Sequence, residues 1–147
     1  MIIYHSREAL TARLAALLHV GRLRPAATPA EAWALVEPAH AYRAAGLWRA
    51  GVDREGRPVC AVGRASRADV TERAFHGLAR LFGIAPDRYR LIGVGPDLAW
   101  GDPLLIGLRL AGLTPLARPF EIRLLQRRWA TCQRAVAEAS AGKSWRP

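Results

Sequence analysis

The sequence predicts an α/β fold: a three-layer sandwich with a mostly parallel central sheet and an added β-hairpin. Three observations predict it. Met1–Tyr4 and Tyr89–Val94 are short, apolar and β-rich, as strands buried on both faces should be. Helical periodicity fills the stretches between strands, which implies right-handed crossovers. Residues 47–52 and 58–62, joined by Asp53-Arg54-Glu55-Gly56, read as a hairpin with glycine where a positive φ is needed.

In order along the chain, Met1–Tyr4 is an interior strand. From Arg7 onward Leu10, Leu14, Leu17 and Leu18 recur on one helical face, and Gly21 is a natural stop. Thr28-Pro29-Ala30-Glu31 is a capping box with proline at the first helical position, opening a short helix through about Val36 that Pro38 ends. In the hairpin, Pro58 has no N–H to donate and so favours an edge or a strand start. Ser66-Arg67-Ala68-Asp69 is a second capping signal. The helix it opens carries Val70, Ala74, Leu78, Leu81 and Phe82 on one face, and Gly83 closes it.

Tyr89–Val94 is expected as a second interior strand, running into the turn-rich Gly93-Val94-Gly95-Pro96-Asp97. A helix follows from Asp97 or from Asp102 and ends near Gly112. Arg118–Leu124 reads as a last strand. The final helix runs from Leu125 to Ala139, with Leu125, Trp129, Cys132, Val136 and Ala139 along one stripe. No linker divides the chain, so residues 1–141 are expected as one domain and 142–147 as a frayed tail.

Composition narrows the classes. The 147 residues are 51% hydrophobic and 23% charged, which excludes a disordered or fibrous chain. No apolar run spans a bilayer and no signal peptide opens the sequence, so a cytoplasmic protein without a membrane partner is expected. Cys60 and Cys132 are too few for a disulfide scaffold or zinc cage. The net charge is +10, and Lys143 is the one lysine among 22 cations. Coding bias toward arginine explains this without function; an anionic partner is the sharper reading. No nucleic-acid-binding motif is present, so any such binding is expected to be weak and sequence-independent.

In open parallel sheets ligands sit beyond the carboxyl ends of the strands. That rule singles out His5, Ser6 and Arg7 after the first strand, and Gly95 and Asp97 after the strand ending at Val94. No catalytic residue is assigned. His5 and Ser6 point to opposite faces of a strand, and no nucleophile elbow occurs. His19 and His76 lie on helices and read as structural or solvated, and Cys60 and Cys132 as small core residues. No metal-ligand spacing is found, and no cofactor is expected. Gly93-x-Gly95 lacks the rest of a dinucleotide fingerprint, and Gly142-Lys143-Ser144 matches only the end of a P-loop.

Several segments together carry a family likeness. They are Ile2-Ile3-Tyr4-His5, the helix ending at His19-Val20-Gly21-Arg22-Leu23, the hairpin at Asp53-Arg54-Glu55-Gly56, Gly63-Arg64, and Ala79-Arg80-Leu81-Phe82-Gly83-Ile84 before a strand. The chain resembles the domain of unknown function 3189 family, small proteins of spore-forming Gram-positive bacteria, over nearly its whole length. The resemblance implies no established activity. Its members typically show Y-H-x-x-G-G-x-H-S-S after the first strand. Here Tyr4 and His5 match, but Ser6-Arg7-Glu8-Ala9-Leu10-Thr11-Ala12-Arg13 lacks both glycines, the second histidine and the serine pair. A glycine-rich turn into a helix is what an anion-binding loop needs, so the resemblance implies a degenerate ligand loop.

The leading functional reading is therefore a non-catalytic interaction subunit, a homodimer or a partner of a related chain. Trp100, Arg123, Arg127 and Arg134 are its interface candidates, because Trp and Arg are enriched in interface hot spots. One alternative is a small-ligand or phosphate-binding enzyme at the His5/Asp97 edge. Another is a non-specific nucleic-acid binder using the arginine-rich surface.

Overall fold

The structure, a computed structural model, describes residues 1–7, 9–36, 46–63, 68–95, 107–108 and 111–141. Four strands form one open sheet: β1 (Ile2–Ser6), β2 (Trp48–Val52), β3 (Pro58–Gly63) and β4 (Arg90–Gly93), in the order β2-β3-β1-β4. β1 pairs in parallel with β3 (Tyr4 opposite Ala61) and with β4 (Tyr4 opposite Ile92). β2 pairs antiparallel with β3. The sheet is thus mostly parallel, with the hairpin as its antiparallel part.

The hairpin turn is built by one side chain. Asp53 Oδ1 accepts from the amides of Glu55 and Arg57, and Gly56 adopts φ 75°, a conformation glycine takes without steric cost. A register irregularity between Arg49 and Gly51 interrupts the pairing of β2.

Helix α1 (Ala9–His19) crosses one face of the sheet. Leu10, Leu14 and Leu17 are fully buried, and so are Ala12, Ala15 and Ala16 on other faces. The helix is enclosed because the last helix packs on the side away from the sheet, and alanines allow that close approach. Each of the three leucines contributes about 1.5–3 kcal/mol by burial. α2 (Pro29–Leu35) begins at the expected capping box: Thr28 Oγ1 accepts from the Glu31 amide, and Glu31 Oε2 accepts from the Thr28 amide at 2.6 Å.

Two expectations are corrected. First, Arg118–Leu124 is not a strand but part of a long helix: α4 spans Thr114–Ser140, and with α3 (Ala68–Leu81) the described residues hold four α-helices. Its buried line runs Ala117, Glu121, Leu125, Cys132, Ala135, Ala139. Glu121 interrupts that period in the sequence but is fully buried, accepting from Trp33 Nε1 at 2.7 Å.

Second, β4 stands at the edge of the four-stranded sheet instead of inside it. The strand that was to extend the sheet is absorbed into α4.

Helix α3 does not turn the face carrying Val70, Leu78 and Leu81 to the sheet. It packs on the second face of the sheet through Phe75, against Ile3, Cys60, Val62 and Leu91, and buries Ala79. Val70 (43% exposed), Leu78 (52%) and Leu81 (78%) lie to the other side, with Phe82 (73%) just beyond. The second capping signal (Ser66, Arg67) and the helix expected from Asp97 or Asp102 fall on residues outside those described, wholly or in most of their length.

Candidate functional site

Two regions bring polar groups together. The first is the carboxyl edge singled out from the sequence. His5 is fully buried and faces α3, where its Nε2 lies 3.2 Å from Glu72 Oε1. Ser6 is buried on the opposite face, and Arg7 is exposed. The backbone amide of Val94 donates to the His5 carbonyl at 2.9 Å, which brings the loop after β4 beside β1. Gly95 adopts φ 84°, and a Cβ on it would stand 3.7 Å from Ser6 Oγ. The edge therefore collects His5, Ser6 and Gly95; Asp97 lies outside the described residues.

The second region was not foreseen and lies at the opposite end. Asp53 follows β2, whose Val52 pairs with Pro58, the first residue of β3; Val59 in turn pairs with Ile2, the first residue of β1. Asp53 thus sits beyond the amino ends of the parallel strands. The carboxyl end of α1 brings His19 to the same place. Tyr4 reaches it from the middle of β1, its hydroxyl 2.7 Å from His19 Nδ1. His19 Nε2 lies 3.5 Å from Asp53 Oδ2, and both side chains are almost wholly buried. Arg57 Nε donates to the same Oδ2 at 2.7 Å, and its NH1 is 2.8 Å from Glu55 Oε2.

The electrostatics of this chain of contacts follow from burial and pairing. Burial pushes the Tyr4 pKa far up, so its hydroxyl is a neutral donor. Burial lowers the His19 pKa, and the neighbouring Asp53 carboxylate offsets this only in part. Burial also disfavours ionised Asp53, but hydrogen bonds from the Arg57 side chain and the Arg57 and Glu55 amides outweigh it and bring its pKa to about 2. The tautomer that satisfies both neighbours carries its proton on Nε2.

His19, Asp53, Glu55 and Arg57 border a cavity of about 430 Å³ between the α1 end, the hairpin turn and the last turns of α4. The sequence did contain one signal for it, the Asp53/Arg57 pair spaced across a turn. Nothing local signalled His19, whose partners come from two other elements.

The interface candidates Arg123, Arg127 and Arg134 are all exposed, and their spacing puts them on one side of α4; Trp100 lies outside the described residues. Cys60 and Cys132 are free and buried. Among the described residues no group of three or more His, Cys, Asp or Glu could hold a metal ion, and no helix is long and apolar enough to cross a membrane.

The family model described as "Protein of unknown function (DUF3189)" matches residues 1–140. The chain belongs to the DUF3189 family. No curated protein and no solved structure matches it. In this DUF3189 member the Tyr4-His5 pair divides its side chains between the two faces of the sheet, Tyr4 toward His19 at the end of α1 and His5 toward α3.

Proposed function

We propose that this chain is an interaction protein that pairs with a second copy of itself through the outer face of α3. One observation carries the reading: the most apolar stripe of α3, Val70, Leu78 and Leu81, faces away from the sheet, and Phe82 and Ile84 continue it in exposed positions. Clustered exposed apolar side chains of this size mark contact surfaces. The charge of the helix favours a second copy as the occupant. The chain as a whole carries +10, which opposes self-association. Within α3, Asp69 and Glu72 balance Arg73 and Arg80, and Arg73 already meets Asp69 at 3.3 Å. Two copies can therefore meet here without like-charge repulsion, each presenting the same patch to the other.

Light scattering tests this. The wild-type chain at tens of micromolar should have the mass of a dimer, and Leu78→Glu/Leu81→Glu should be a monomer with unchanged circular dichroism. A monomeric wild type sinks the homodimer. If that monomer then paired with a related chain through the same two leucines, the partner would be the relative.

A further inference from the structure

The amino-edge cavity has more hydrogen-bond donors than acceptors. Asp53 accepts from the Arg57 side chain and two backbone amides, and Glu55 pairs with Arg57. Three of the last four carbonyls of α1 are taken: those of Ala16, Leu17 and Leu18 accept from the amides of Val20, Leu23 and Gly21. At the end of α4, the Val136 carbonyl accepts from Ser140 Oγ, and the Ala137 carbonyl from the Ala141 amide. Pro25, also on the wall, has its carbonyl satisfied by Trp129 Nε1 at 3.1 Å and Gln133 Nε2 at 3.2 Å.

The donors are in a different position. Arg24, in the loop after α1, and Arg54, at the hairpin tip, both line the cavity. Among the described residues neither guanidinium makes a hydrogen bond or an ion pair within 4 Å, although Arg24 lies near enough to Glu31 to help lower the pKa of that carboxyl. Each offers five N–H donors in a fixed fork that suits a carboxylate or phosphate. Arg57 stands beside them, held in place by Asp53 and Glu55. His19, locked between Tyr4 and Asp53, is neutral and adds no charge to the site. Leu18, Leu23 and Val136 supply apolar wall. The volume, about 430 Å³, is in the range that takes a small organic molecule.

We infer that this cavity binds a small organic anion, a carboxylate or phosphate monoester with an apolar body, held by the guanidinium groups of Arg24 and Arg54. This site is separate from the outer face of α3, so either reading can fail alone.

Phenyl phosphate is a suitable probe, titrated by calorimetry at fixed low salt, since the rim arginines are exposed and screened by ions. Saturable one-site binding is expected. Arg24→Ala/Arg54→Ala should weaken it at least about tenfold. Inorganic phosphate should bind at least about tenfold more weakly than phenyl phosphate, because it cannot use the apolar wall. Arg123→Ala removes an exposed charge from the body of α4, outside the cavity, and should leave the affinity unchanged. Absence of saturation at about 10 mM, a binding free energy weaker than about 2.7 kcal/mol, overturns the proposal. So does an unchanged affinity in the double variant. An equal loss in Arg123→Ala also overturns it, since that would report only attraction to a basic protein.

Discussion

The Tyr4 hydroxyl meets Nδ1 of His19 at 2.7 Å, joining the middle of β1 to the last residue of α1. With Asp53 on the other ring nitrogen, the imidazole ties three elements together: the central strand, the helix over it and the hairpin turn. A buried imidazole with both nitrogens engaged is a cross-link whose strength depends on its protonation state.

Tyr4→Phe removes one hydroxyl and leaves His19 Nδ1 buried without its donor. The expected cost is about 1–3 kcal/mol, the penalty of an unsatisfied buried acceptor. Urea denaturation at pH 7 checks it: the midpoint should fall with an unchanged slope.

Acid should weaken the fold in two stages. The folded pKa of His19 is lowered from 6.5, so the unfolded chain takes up this proton first, and stability falls as pH drops from about 6.5 toward the lowered value. Asp53 has its pKa brought from 3.8 to about 2, so its contribution is present above about 4 and is lost as pH falls toward 2. Melting temperature measured against pH should decline through both windows. His19→Gln should flatten the first and leave the second.

Gly63 ends β3 where α1 begins. A Cβ there would stand 2.8 Å from Ala9 Cβ, closer than two carbons can approach. Gly63→Ala should therefore cost about 1–3 kcal/mol, as overpacking does. The double change Gly63→Ala/Ala9→Gly should recover part of the loss, and thermal melts of the two variants settle the matter.

Any affinity for duplex DNA should rest on the exposed arginines of α4. With Arg123, Arg127 and Arg134 as the contacts, the logarithm of affinity should fall with that of salt with a slope of about −3, with no sequence preference. Replacing all three by alanine should flatten the slope. Filter binding across a salt series would contradict this if affinity held constant or favoured one sequence.

The features legible in the sequence are those decided within a few residues. The Thr28/Glu31 capping box, the Asp53–Gly56 turn and the stop of α1 near Gly21 each rest on hydrogen bonds spanning about one turn. The mostly parallel order of the sheet follows from alternation of strand and helix, and membership of the family from segments spread along the chain. Which face of an element is covered is another matter. Val70, Leu78 and Leu81 form an apolar stripe whether or not anything packs on it, and only the placement of Phe75 against Ile3 and Val62 shows which side of α3 meets the sheet. Glu121 looks like a surface residue until Trp33, 88 residues earlier, is brought to its carboxylate. His19 acquires its partners the same way, from Tyr4 on β1 and Asp53 after β2. Propensity and capping act through neighbours in the chain and so are written locally. Burial, tautomer and pKa depend on groups far apart in sequence, and only the tertiary structure places those groups together.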